Sequence, residues 1–211
     1  MGAGMSEMPG AMGTDHARKE IWLVRHGETE WSRSGAHTGR TDLPLTPAGR
    51  ENAAALGRLL AGRQFGLVLC SPMQRARDTC RLAGFGDRAL TEPNLCEWDY
   101  GDFEGRTTAA IREEIPGWSL WVSGVRNGET IGQVAARADA VIARALAAEG
   151  AVEGDVVLFA HGHILRILTA RWLGLAGDEG RFFALGTASI GSLGYERDTR
   201  VITRWNLSIS A

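Results

Sequence analysis

The apolar positions of the chain follow two different periods. Short runs, Ile21 to Val24 and those inside "GLVLCSP" and "DVVLFAHGH", are unbroken and flanked by polar residues, as buried strands are. Each is left abruptly for charged or polar residues. Between them the spacing turns helical. Leu56, Leu59 and Leu60 form a stripe in the segment that begins at Thr46 and Pro47, where threonine suits an N-cap and proline the first helical position. "QRARDTCRLAG" and "ILRILTARWLGL" each follow a predicted strand as a helix. From Glu129 to Ala148, apolar side chains at Ile131, Val134, Ala138, Val141, Ile142 and Ala145 mark another.

Alternating strands and helices predict an α/β fold, a mainly parallel sheet with helices on both faces. "TASIGSLGYE" and "RVITRWNL" read as two closing strands joined by a turn around Asp198 and Thr199, which adds an antiparallel edge. With 211 residues the chain is expected to form a single domain over residues 20–211. Residues 1–19 are expected to be a flexible extension, being rich in glycine and methionine and without periodicity.

Composition narrows the chemistry. The formal net charge is -2, so no global field draws the chain to nucleic acid or to an anionic membrane. No apolar run reaches the roughly 18 residues of a membrane span. Cys70, Cys80 and Cys96 are odd in number and lack metal or disulfide spacing, which fits a reducing cytoplasm. Lys19 is the only lysine, which argues against Schiff-base chemistry and leaves arginine as the local cation.

In open α/β sheets ligands bind beyond the carboxyl ends of the strands. Three predicted strands end in Arg25-His26-Gly27, in Ser71-Pro72 with Arg75 a turn later, and in His161-Gly162-His163. Alone, each has a bland reading as a solvated strand end or an exposed helix residue. Together they bring arginines and histidines to one rim. A divalent cation would be repelled by the arginines, and no HExxH pattern or dense carboxylate set accompanies them, so no metal is expected. A phosphate dianion matches the forked guanidinium donors. Flanking guanidinium groups keep the His26 imidazole neutral and nucleophilic, while His161 is suited to donate to phosphoryl oxygens. A leaving alkoxide also needs an acid. Glu97 is the candidate, with Asp99, Asp102 and Glu104 as rivals that local sequence does not exclude.

The stretches "LVRHGETEW", "TGRTDLPLTPAGR", "SPMQRARDT", "LCEWDYGDFEG", "NGET" and "FAHGHILR" resemble, in order, the phosphoglycerate mutase-like branch of the histidine phosphatase superfamily. The resemblance covers Ile21 to the C-terminus and implies a three-layer α/β sandwich and a phosphohistidine intermediate, with no cofactor. It makes His26 the nucleophile, Glu97 the proton donor, and Arg25, Arg75 and His161 the phosphate pocket. It puts Thr29, Ser32, Thr38 and Gly39 at the pocket entrance, and Glu28 in an orienting role. It also implies a small-molecule phosphate ester as substrate, and homodimers are common among such proteins.

Departures from the family's mutases bear on the acceptor. Ser32 stands where they carry asparagine, Thr108 about where they carry a substrate-binding lysine, and no Arg-Arg pair occurs. The stretch from Glu97 to His161 is short, so the cap is reduced and water is admitted, which favours a phosphatase. Serine after Trp31 and histidine after His161-Gly162 are most similar to acid phosphatases and sedoheptulose-bisphosphatase-like members, with His163 a second donor to substrate. A bisphosphoglycerate-dependent mutase and a non-catalytic phospholigand-binding module are the alternatives. Trp118 and Trp121 either wall the cleft beside Tyr100 or, as preferred here, seal the cap as core. Arg106 and Arg126 are the loop cations suited to grip a distal phosphate.

Overall fold

The computed structural model describes residues 18–148 and 151–208. Apart from Arg18 and Lys19, the expected N-terminal extension lies outside the described residues. The elements run β1 (Ile21–Arg25), α1 (Glu30–Ser34), α2 (Pro47–Leu60), β2 (Phe65–Cys70), α3 (Gln74–Leu82), β3 (Ala89–Thr91) and α4 (Thr108–Glu114). Then come α5 (Leu120–Ser123), α6 (Ile131–Ala147), β4 (Asp155–Ala160), α7 (Gly162–Trp172), β5 (Ser189–Glu196) and β6 (Thr199–Ser208).

The strands form one sheet in the order β3-β2-β4-β1-β5-β6. β1 and β2 both pair in parallel with β4, and β3 with β2. β5 is antiparallel to β1 and to β6. The α/β expectation therefore holds, and the antiparallel edge is a pair of strands. The sheet is apolar on both faces because helices cover both. Leu23, Leu69 and Leu158 point to the side packed by Val134 and Ala138 of α6 and Leu165 and Leu168 of α7. Trp22, Val24, Val157 and Phe159 point to the other, against Leu56 and Leu60 of α2 and Ala76 of α3.

Helix starts follow their caps. The Thr46 hydroxyl accepts from the Gly49 N–H at 3.0 Å, with Pro47 in the first turn of α2. Thr130 and Gln133 close a reciprocal capping box on α6. One expectation fails on α2: Leu56 and Leu60 are buried, but Leu59 is 40% exposed, because the covered stripe is narrower than the predicted one.

The topology places the chemistry. β2, β4 and β1 are consecutive, and they end within one residue of each other, Cys70 opposite Phe159 and Arg25 opposite Ala160. Pairing continues one residue further, with the Ser71 N–H on the Phe159 carbonyl and the His26 N–H on the Ala160 carbonyl. Gly27 then passes directly beneath α2. A Cβ there would stand 2.3 Å from the Gly49 carbonyl oxygen, so only glycine fits.

Leu56→Ala should cost about 2–5 kcal/mol of unfolding free energy in urea titrations, as for other buried leucines. Leu59→Ala should stay within about 0.5 kcal/mol.

Candidate active site

His26 leaves β1 almost fully buried. Its Nδ1 lies 2.7 Å from the Gly27 carbonyl oxygen, which can only accept, so Nδ1 carries the proton and Nε2 the lone pair. Burial first, then the charges of Arg25 and Arg75, pushes the imidazole down to about 3. The ring is thus neutral at ordinary pH, with its free nitrogen available. Beside it, Arg25 donates to the Leu185 carbonyl at 2.5 Å. Its Nε is buried without an acceptor among the described residues. Gly162 leaves the room: a Cβ there would come 3.3 Å from the Arg25 guanidinium carbon.

Arg75, on α3, is wholly buried. Its Nε donates to His161 Nδ1 at 3.1 Å, and its two Nη atoms donate to the carbonyls of Thr38, Gly39 and Thr41. An arginine can only donate, so His161 keeps its proton on Nε2, which reaches Ser71 Oγ at 2.8 Å. Burial and the Arg75 charge hold His161 well below its ordinary range. The His26 and His161 rings lie 5.1 Å apart.

Glu97 is buried across the rim. Its carboxylate accepts from the N–H groups of Trp98, His163 and Ile164 at 2.9–3.0 Å, the last two at the N-terminus of α7. Burial alone would raise this carboxyl. The hydrogen bonding of His163, side chain and backbone, instead holds it well below the usual range. The His163 Nδ1 lies 2.7 Å from the Tyr100 hydroxyl and 3.7 Å from the Glu97 carboxylate. The rival carboxylates are engaged elsewhere: Asp99 with Arg40, Asp102 with Asn127, and Glu104 with the amides of Gly39 and Thr41. Arg137 of α6 fixes the Glu97 loop. It grips Glu129 with two bonds of 2.8 Å and the carbonyls of Asn94 and Cys96 at the same distance, which gives "NGET" a structural purpose.

A cavity of about 370 Å³ opens over His26. Arg25, His26, Ser32, Thr38, Glu97, Tyr100 and His163, all singled out in the sequence, line it. Arg75 and His161 lie beneath it, not in its wall. Thr29 is the N-cap of α1, locked reciprocally with Ser32. Gly39 has no room for a side chain beside Trp98, and Gly162 serves Arg25 as described. Glu28 accepts from the Thr46 hydroxyl at 2.9 Å, an orienting contact to α2.

Two expectations about the cap are corrected. Trp118 is core, but Trp121 lines the cavity, with the Arg166 guanidinium 4.6 Å from its ring centre. Arg106 is tied to Glu114, and Arg126 lies over Phe103 and 3.9 Å from Asp102, so neither reaches the cavity. His37, Arg112 and Arg166 do reach it, and sequence reasoning missed them. The signal for the arginines was helical spacing: Arg112 is four residues after Thr108 on α4, and Arg166 three after His163 on α7. Nothing local marked His37, which stacks against Tyr100 at 4.8 Å.

Among the described residues no group of three or more histidines, cysteines or carboxylates could hold a metal, and no helix is long and apolar enough to cross a membrane.

The model of the histidine phosphatase superfamily, branch 1, matches residues 21–208. The chain is 45% identical over 182 residues to an acid phosphatase of Mycobacterium tuberculosis, covering 85% of this chain and 88% of that protein. It is 40% identical over 182 residues to the sedoheptulose 1,7-bisphosphatase of Saccharomyces cerevisiae, covering 72% and 67%. Among solved structures, that of an open reading frame of Mycobacterium tuberculosis superposes with a TM-score of 0.85 at 42% identity, over 90% of this chain and 98% of the other. A mycobacterial glucosyl-3-phosphoglycerate phosphatase, solved with VO3, gives 0.81 at 30% identity, over 90% and 100%.

The depressed histidines set a pH dependence. His26 titrates near 3 in the fold against 6.5 in the open chain, so between these values the unfolded state binds more protons. Unfolding free energy should therefore fall as pH drops from 6.5 toward 3, and His37, pushed down to about 4 chiefly by burial, adds to the fall. Urea titrations at about pH 7.5 and pH 4.5 should show a smaller loss in His26→Gln than in the parent. An equal loss would contradict the assigned titration.

Proposed function

The chain belongs to the histidine phosphatase superfamily, branch 1, and from that membership we propose that it hydrolyses phosphate monoesters of small, sugar-like metabolites through a phosphohistidine on His26. The observation that carries the reading is the His26 tautomer: the Gly27 carbonyl holds the proton on Nδ1, so the Nε2 lone pair faces the cavity beside Arg25.

The chemistry follows from the charges. Nε2 attacks phosphorus as the ester P–O bond breaks, and Arg25 holds the phosphoryl oxygens. Glu97 gives the leaving oxygen its proton. Its carboxyl is held low in the free protein, but a phosphate dianion brings like charge close to it and raises its proton affinity. After the alcohol leaves, Glu97 takes a proton from water, whose oxygen attacks phosphorus and releases orthophosphate and free His26. Arg75 and His161 act from below, fixing the rim and keeping His26 neutral. Tyr100, Ser32, Thr38 and His163 contact the ester from the walls.

Water as acceptor is supported by the short cap and by Thr108, which lines the cavity about where the family's mutases carry a lysine. The free cysteines fit a cytoplasmic setting.

His26→Ala should remove turnover of p-nitrophenyl phosphate, and an acid-labile phosphoenzyme should be trapped in the parent only. Glu97→Gln should slow formation of the phosphoenzyme from alkyl phosphates about 10²–10⁴-fold and from p-nitrophenyl phosphate much less, because a good leaving group needs no acid, while hydrolysis of the phosphoenzyme by water slows for both. Turnover surviving in both variants would sink the mechanism. Interconversion of 3- and 2-phosphoglycerate faster than phosphate release would identify a mutase instead.

A further inference from the structure

Cys70 and Cys80 take no part in the chemistry proposed above, yet the fold brings them together behind the catalytic rim. Val68 and Cys70 are two apart on β2 and point to the same face of the sheet. Ala76 and Cys80 are four apart on α3 and share the helix face packed against that side. Both cysteines are buried, and the Cys80 side chain is a hydrogen-bonding neighbour of the Cys70 thiol. A cavity of about 260 Å³ reaches both of them, with Arg77 and Arg81 in its wall. That access separates the pair from core thiols sealed on every side.

Each cysteine also stands next in the chain to a residue that positions a histidine of the rim. Ser71, after Cys70, holds His161 Nε2 on its Oγ at 2.8 Å. Thr79, before Cys80, accepts from the Gly27 N–H at 3.0 Å and donates to the Arg75 carbonyl at 2.7 Å. Gly27 in turn sets the His26 tautomer through its carbonyl. A disulfide draws two sulfurs to about 2.05 Å, well inside the contact of two thiols. In a close-packed interior such a movement is passed on rather than absorbed, so it shifts Thr79 against Ser71 and with them the two histidines.

We propose that Cys70 and Cys80 form a peroxide-sensitive dithiol whose oxidation to a disulfide switches the catalytic site off. The oxidant is a hydroperoxide, hydrogen peroxide in the simplest case. The hydrogen bond with Cys80, then burial, pushes the Cys70 thiol up, so Cys70 suits the second of two steps and Cys80 the first. In the first, the Cys80 sulfur takes one peroxide oxygen as the O–O bond breaks, which gives a sulfenic acid and one water. In the second, the Cys70 sulfur displaces that oxygen, its proton leaves with it as a second water, and the S–S bond closes. Two thiols and one peroxide thus become one disulfide and two waters. The proposal adds a modification site to the phosphatase reading, and only its effect on turnover depends on that reading. Cys96 is the internal control, because it is half-buried and lines a different cavity, beside Glu97.

The test treats the reduced full chain with hydrogen peroxide, maps cysteine pairing by mass spectrometry of an alkylated digest, and assays p-nitrophenyl phosphate before and after dithiothreitol. The parent should yield a Cys70–Cys80 cross-linked peptide and lose activity about tenfold or more, as small displacements of reacting groups do. Dithiothreitol should reverse both. Cys70→Ala and Cys80→Ala should each keep their own untreated activity under the same exposure, and Cys96→Ala should respond as the parent does. Absence of the cross-link in the treated parent, a cross-link without loss of activity, or a loss unchanged in both alanine variants overturns the switch. Protection by Cys96→Ala alone does the same. The parent's cross-link and its reversal decide the case even where an alanine variant does not fold. A chain that forms the cross-link but hydrolyses no ester when reduced would instead overturn the phosphatase reading, since the cross-link is read without turnover.

Discussion

A fully buried guanidinium without a close carboxylate is the constraint around which the rim is built. Arg75 has Asp42 as its nearest acid, at 4.0 Å, and satisfies its donors on three carbonyls and one imidazole instead. Those bonds solvate the charge but do not cancel it. The positive field stays in the site, where it lowers the proton affinity of His26 and His161. The same bonds join α3, the loop through Thr38 and Thr41, and the exit of β4. One side chain thereby ties the rim together and adds to the effect of burial, and at His26 of Arg25, on its electrostatics. Membership of the histidine phosphatase superfamily accords with such a pocket, and the proposed chemistry makes use of it.

Glu97 poses the opposite problem, a buried anion, and the fold answers it with amide N–H groups at the start of α7. The helix that solvates Glu97 also begins immediately after His161, so the cationic floor and the acid are spaced by covalent continuity through Gly162. Arg137 and Glu129 complete the fixation from α6. The loop bearing Glu97 has little regular structure of its own, and its position is set by these clamps.

The sheet and the floor of the site were legible because the relevant residues sit at the ends of apolar runs, where strand, exit and chemistry coincide in a few consecutive letters. Thr46 with Pro47 and the α6 stripe were equally direct, since caps and periodicity are local. β3, α4 and α5 were not, being only three, seven and four residues long, too short to show a period. The error at Leu59 arose because periodicity tells which residues share a face but not how wide a stripe the neighbouring helix covers. The cap was read least well. Whether Arg106, Arg112 or Arg126 faces the cleft depends on which finds a partner first, and Glu114 and Asp102 decide that in three dimensions. His161 illustrates a subtler limit: its place at the rim was evident, but not that Arg75 and Ser71 engage both its nitrogens.

Arg25 Nε, buried without an acceptor among the described residues, has a consequence for turnover in a mixed environment. A donor desolvated in advance favours any tetrahedral oxyanion that reaches it, and does not distinguish the ester from the orthophosphate left when the ester is gone. The product therefore competes for the seat of the substrate. On the proposed chemistry, flux should therefore follow the ratio of ester to free phosphate around the enzyme and slow as phosphate accumulates.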